Sequence, residues 1–166
     1  MKILGINCMN HDAAMAVVDF SSGVGEVLWA AHAERYSKVK NDHYLNWAIV
    51  NEAMTYGPFH KVVYYEKPWL KKTRQLYAGQ WSDAFSYTEL PQWHLDHFGI
   101  KIDEYVKHHD SHAAAGYFTS PFREATILTV DAIGEWDTVS ISTAEKIWIE
   151  RKETIQYPHS LSLIHI

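Results

Sequence analysis

The feature that most narrows what this chain can fold into is a strand pattern that begins twice. "KILGINCM" and "AAMAVVDF" are apolar, β-branched-rich runs separated by the turn residues Asn10, His11 and Asp12, so they read as a hairpin. "SSGVG" supplies the next turn and "EVLWAAHA" a third strand, giving an antiparallel meander within the first 33 residues. The same order starts again at Ala125: "ATILTVDA", "TVSIST" and "KIWIERKETI" are three strands with turns near Gly134 and Ala144.

Between the two meanders the period changes. Leu45, Ala48, Ile49, Ala53 and Tyr56 share one helical face over residues 43–56, and Asn41 or Asp42 is the expected N-cap. "KVVYYE" from Lys61 reads as a buried strand, followed by a helix over 69–79 with Pro68 at its start. Residues 80–100, with Pro91 and Gly99 as breakers, carry no readable period. "EYVKH" at 104–108 predicts a short strand, and residues 109–118 a helix that Pro121 closes.

Three strands, helix, strand, helix and a new meander suit an α/β domain with a mixed sheet and flanking helices, the order of the ribonuclease-H-like or actin-like ATPase fold. Residues 1–124 would form a first lobe and 125–166 the start of a second, truncated one. By analogy with such folds, the turn at His11–Asp12 would face the one at 131–134.

Composition excludes some functions. The 166 residues are 47% hydrophobic and 21% charged, with net charge −5, and the fifteen basic residues form no long run, so no duplex nucleic-acid surface is expected. Cys8 is the single cysteine, which rules out an internal disulfide. With no secretion-signal pattern and no apolar run long enough to span a membrane, a cytoplasmic, non-membrane protein is the expectation.

The chemistry-bearing residues are unevenly spread. "KHHDSHAAAGYF" puts His108 and His112 four apart, on one face of a helix, while His109 points about 100° away. Asp131, at the end of "TILTVD", can add a carboxylate; two histidines and one aspartate with open positions suit iron, manganese or zinc. His11, a residue type suited to general-base work, has a carboxylate beside it in Asp12. Arg35, Lys38 and Lys40 in "ERYSKVK" can hold phosphate or carboxylate oxygens. In "DAIGEWD", Gly134 permits unusual backbone angles, and amides exposed at Gly134 and Glu135 can receive phosphate. Each group also has an ordinary reading: a surface histidine pair, Asx-turn chemistry, a solvated charge run, a hairpin turn.

Taken together, "ILGINCMNHDAA", "AAHAERYSKVK", "HHDSHAAAGYFTSPFREATILTVDAIGEW" and "YPHSLSL" resemble, in order, the O-carbamoyltransferases of nodulation-factor and antibiotic biosynthesis. The resemblance implies that a YrdC-like domain, absent from this chain, makes carbamoyladenylate from the co-substrates carbamoyl phosphate and ATP. The actin-like domain then passes the carbamoyl group to the hydroxyl of a small molecule. It also implies that His108, His112 and Asp131 hold a divalent metal, iron in the family, against the nucleotide phosphates, and that His11 activates the acceptor. The family's D-G-x-G-E reads "DAIGE" here, with Ala132 at a glycine position, and the ending "LSLIHI" departs from the family, so a fragment lacking a second aspartate ligand is expected. The alternatives are an actin-like kinase, a threonylcarbamoyl-tRNA-type transferase, and a non-enzymatic nucleotide-binding module.

Overall fold

The computed structural model describes residues 1–161. In chain order its elements begin with strands β1 (Lys2–Asn7), β2 (Ala14–Asp19) and β3 (Glu26–His32), helices α1 (Glu34–Ser37) and α2 (Trp47–Met54), and strand β4 (Lys61–Tyr64). Helices α3 (Pro68–Tyr77), α4 (Trp81–Phe85) and α5 (Pro91–Asp96), strand β5 (Glu104–Tyr105) and helix α6 (His108–Phe118) follow. Strands β6 (Glu124–Gly134), β7 (Asp137–Glu145) and β8 (Trp148–Gln156) complete the series. The chain divides into two compact units, one of residues 1–65 and 85–105, the other of 66–84 and the described residues from 106 on. Helices that precede residue 125, α3 and α6, are thus grouped with the second sheet rather than the first.

The first unit is built on a five-stranded sheet in the order β3-β2-β1-β4-β5. Its meander is antiparallel, while β4 runs parallel to β1 and β5 parallel to β4. That mixed arrangement is the ribonuclease-H-like, actin-like α/β fold expected from the element order. Register explains the core. Leu4 opposes Val17 and Ile6 opposes Met15, so four buried side chains leave one face of the sheet together. They pack in one cluster with Ile49, Val50 and Ala53 of α2 and with Leu95, Ile100 and Ile102. A slip of one residue would turn that set to the opposite face, so burial itself holds the register.

The start of one helix differs from that read in the sequence, and one unread region holds two short helices. Helix α2 starts after Asn46, whose side-chain oxygen accepts the N–H groups of Ala48 and Ile49, and not after Asn41 or Asp42. The carbonyls of Asp42 and His43 instead accept N–H groups from Ala13 and Met9, which ties that stretch to the β1–β2 turn before the helix begins. In the region without a readable period, α4 and α5 have five and six residues, too few turns to show a helical repeat.

The second unit holds the antiparallel sheet β6-β7-β8 with α3 and α6. Along β7 the residues Thr138, Ser140, Ser142 and Ala144 are buried, and α6 packs against β6 and β7. Small side chains on that face let the helix approach closely. No helix among the described residues is long and apolar enough to cross a membrane.

Candidate metal centre

Helix α6 opens on His108, and one turn later His112 lies on the same face. Their Nε2 atoms are 3.0 Å apart. The Oδ2 atom of Asp131, on β6, lies 2.9 Å from Nε2 of His108 and 3.9 Å from Nε2 of His112. Donor atoms bound about 2.1 Å from one ion lie roughly 3.0–3.4 Å from each other in octahedral or tetrahedral geometry. With small side-chain adjustments the triangle could hold a single cation.

The electrostatics agree with that geometry. Two imidazole nitrogens 3.0 Å apart beside a carboxylate can share one N–H proton or face one metal ion. Burial alone would lower the pKa of His108, but the carboxylates of Asp131 and Glu66 override burial and push it up to about 9. The same bond to His108, against the opposing effect of burial, holds the Asp131 carboxyl down at about 2. Burial, then the charge of His108, lowers the pKa of His112. The donor set is thus a carboxylate, a neutral exposed imidazole and a buried imidazole whose proton a metal would replace.

Glu66 stands behind this arrangement. Its Oε2 atom lies 3.6 Å from Nδ1 of His108, and its Oε1 atom 3.6 Å from Nζ of Lys71. Burial favours its neutral form, but His108 and Lys71 hold its pKa below the usual carboxylate value. A carboxylate behind a ligating imidazole fixes the ring's orientation and raises its basicity. Sequence reasoning missed Glu66; its one signal is an acidic residue at the end of the buried run "KVVYYE".

The turn after β6 works differently from the expectation. The left-handed residue is Glu135, with φ 61°, whereas Gly134 is not among the glycines of positive φ and Ala132 is unstrained in this respect. Gly134 is needed for room: a Cβ there would lie 2.5 Å from Cδ2 of His108 and 2.9 Å from Cδ2 of His109. Glu135 is buried, and its Oε1 atom accepts N–H groups from Lys67 and His108. His109, also buried, pairs through Nδ1 with Oγ of Ser140 at 2.9 Å and so faces β7.

The remaining candidates belong to the first unit. His11 Nδ1 and Asp12 Oδ2 are 2.7 Å apart on an exposed turn, with Asp12 at φ 58° and its carbonyl accepting from Nδ2 of Asn7. Arg35, Lys38 and Lys40 are exposed, and Nζ of Lys38 donates to the carbonyl of Arg35 at 2.6 Å.

Comparison with known proteins gives three findings. Residues 91–166 match the family described as carbamoyltransferase N-terminus. The chain is 28% identical, over 192 aligned residues, to an uncharacterized protein (sll1178) of Synechocystis sp.; the match covers 98% of this chain and spans 30% of that protein's length. Among solved structures it is similar to the Ppx/GppA phosphatase of Aquifex aeolicus, type II variant, at 12% identity, covering 96% of this chain and 53% of that one with a TM-score of 0.45. A second structure of the Aquifex aeolicus enzyme matches at 11% identity, 96% and 53% coverage, and a TM-score of 0.47. The segment that matches the carbamoyltransferase N-terminal family, residues 91–166, is thus also the one that carries all three candidate ligands.

Proposed function

We propose that this chain is part of an O-carbamoyltransferase that moves a carbamoyl group from carbamoyladenylate to the hydroxyl of a small molecule. The observation that carries the reading is the donor triangle of His108, His112 and Asp131 inside the family-matched segment. Iron is the proposed ion, and manganese or zinc also suits two imidazoles and a carboxylate. When bound, the ion supplies positive charge that holds phosphate oxygens and stabilises the departing phosphate. His108 and His112 would bind it through Nε2 and Asp131 through Oδ2, while Glu66 keeps the His108 ring turned toward it. His112, the exposed member, leaves one side open to a substrate oxygen.

His11 is the proposed base. Donating its Nδ1 proton to Asp12 leaves the Nε2 lone pair to take the proton of the acceptor hydroxyl as that oxygen attacks the carbamoyl carbon and adenylate departs. Exposed Arg35, Lys38 and Lys40 would meet anionic groups of the substrate, and the amides of Gly134 and Glu135 a phosphate, while the missing side chain of Gly134 also makes room for the imidazoles. Carbamoyladenylate would be formed from ATP and carbamoyl phosphate on a YrdC-like domain of the whole protein.

Two measurements test this. Equilibrium dialysis of an adenine nucleotide against the chain should show binding that requires Fe(II) and is lost in H112A; equal binding without metal contradicts the reading. In the whole protein, labelled carbamoyl phosphate with ATP should label a hydroxyl acceptor, and H11A should slow transfer by roughly a hundredfold or more. Phosphorylation of an acceptor by ATP alone would instead mark a kinase.

A further inference from the structure

Helices α3 and α6 share an anomaly. Their N-cap residues are Lys67 and Lys107, and neither provides a side-chain cap hydrogen bond. Lysine has no acceptor, and its positive charge is unfavourable at the positive end of a helix. First-turn N–H groups have no partner within their own helix, so a buried start needs an acceptor from elsewhere.

Glu135 provides it. It is 5% exposed, and its Oε1 atom accepts the N–H of Lys67 at 2.6 Å and that of His108 at 3.3 Å. In a capping box a carboxylate of the same helix reaches back to the N-cap N–H. Here one carboxylate from the β6–β7 turn does so for one helix and meets the first residue of another. Its left-handed backbone, φ 61°, is a conformation uncommon for a residue with a side chain, and it persists where surrounding contacts hold it.

We propose that Glu135 is a positioning residue for the ligand set, a single buried carboxylate that anchors the starts of α3 and α6 and so fixes His108 against Glu66 and Asp131. The two helix starts carry the two sides of the contact it would fix: Glu66 precedes Lys67 directly, and its Oε2 atom stands 3.6 Å from Nδ1 of His108. Asp131, Gly134 and Glu135 then act on the same residue at three points. Asp131 meets its Nε2 atom at 2.9 Å, Gly134 leaves space for its ring, and Glu135 holds its backbone N–H. Glu135 places no atom in the donor triangle and acts only through His108.

This inference rests on the metal reading above, so its test has one arm that needs no metal. The 166-residue chain is titrated with Co(II) as wild type, E135A, E135Q and H108A, and amide hydrogen exchange at Lys67 and His108 is measured in the metal-free proteins. E135A should weaken cobalt binding by about tenfold, the size of effect seen when a partner that orients a ligand is lost. It should also speed exchange at both amides by roughly tenfold, the N–H groups having lost their acceptor. E135Q, whose amide oxygen can accept the same N–H groups, should recover most of both effects. Wild-type cobalt affinity in E135A, or unchanged exchange at both amides, overturns the proposal. Should E135A fail to fold, E135D, one methylene too short to reach both amides, is read by the same criteria. A wild-type chain that takes no cobalt removes the metal reading, and the exchange arm then decides the anchoring.

Discussion

The molecule contains two histidine–aspartate pairs of nearly equal length, His11–Asp12 at 2.7 Å and His108–Asp131 at 2.9 Å. Their side-chain exposures are 69% and 37% in the first pair, against 8% and 29% in the second. Separation therefore does not distinguish them, but surroundings do. Water screens the first pair, while the second acts through a low-dielectric interior with Glu66 behind it. The consequence is a half-buried candidate cation site in one place and an accessible candidate base in the other. The first pair also comes from adjacent residues in a turn, whereas the second needs a helix and a strand 23 positions apart to meet.

The largest expected difference between the pairs is in metal binding. H108A or D131N should weaken Co(II) affinity by more than roughly a hundredfold, beyond the range for loss of an orienting partner, while H11A should leave it unchanged. A competition titration against a coloured chelator measures this. Equal losses in H11A and H108A would break the comparison.

Next comes pH dependence in the metal-free chain. The pKa of His108 rises on folding from 6.5 to about 9, so its stabilising contribution is complete below pH 6.5 and is lost as pH rises through about 9. The loss is on the order of 3 kcal/mol. Asp131 has the opposite sign: its pKa falls from 3.8 to about 2, so its contribution is present above pH 3.8 and is lost as pH falls through about 2. Urea unfolding at pH 6 and pH 10 should show the alkaline loss in wild type and in H11Q, and a much smaller loss in H108Q.

A smaller effect separates two glycines in this unit. G134A should cost about 1–3 kcal/mol, because its methyl group meets two imidazole rings that cannot both retreat. G116A, within α6 and with nothing within 4 Å of the added carbon, should stabilise the protein by about 0.5–1 kcal/mol. Thermal unfolding of the two variants sharpens the contrast between a packed site and an open helix face.

The parts of this arrangement that were legible in the sequence are those carried by local period. Both meanders, the parallel strand β4 and the pair His108–His112 follow from alternation or helical spacing within a few residues. Asp131 was visible as the polar end of an apolar strand. Glu66 was not, and Glu135 was visible only for its backbone amide, because their side chains meet partners 42 and 68 positions away in the chain, His108 and Lys67 respectively, that no local pattern connects. The turn at 131–135 shows how such readings go astray. Gly134 suggested backbone freedom, but the left-handed residue is its neighbour, and the missing side chain is required by two histidine rings that arrive from another element. The N-cap at Asn46 was displaced for a similar reason, since the carbonyls of Asp42 and His43 are taken by backbone N–H groups of the β1–β2 turn.

The account depends on three side chains sharing one ion, and X-ray absorption on the zinc-loaded chain tests it most directly. Two imidazole nitrogens and a carboxylate oxygen at about 2.0–2.2 Å are expected, falling to one imidazole in H112A. A spectrum without imidazole scattering, or one that H112A leaves unchanged, would contradict it.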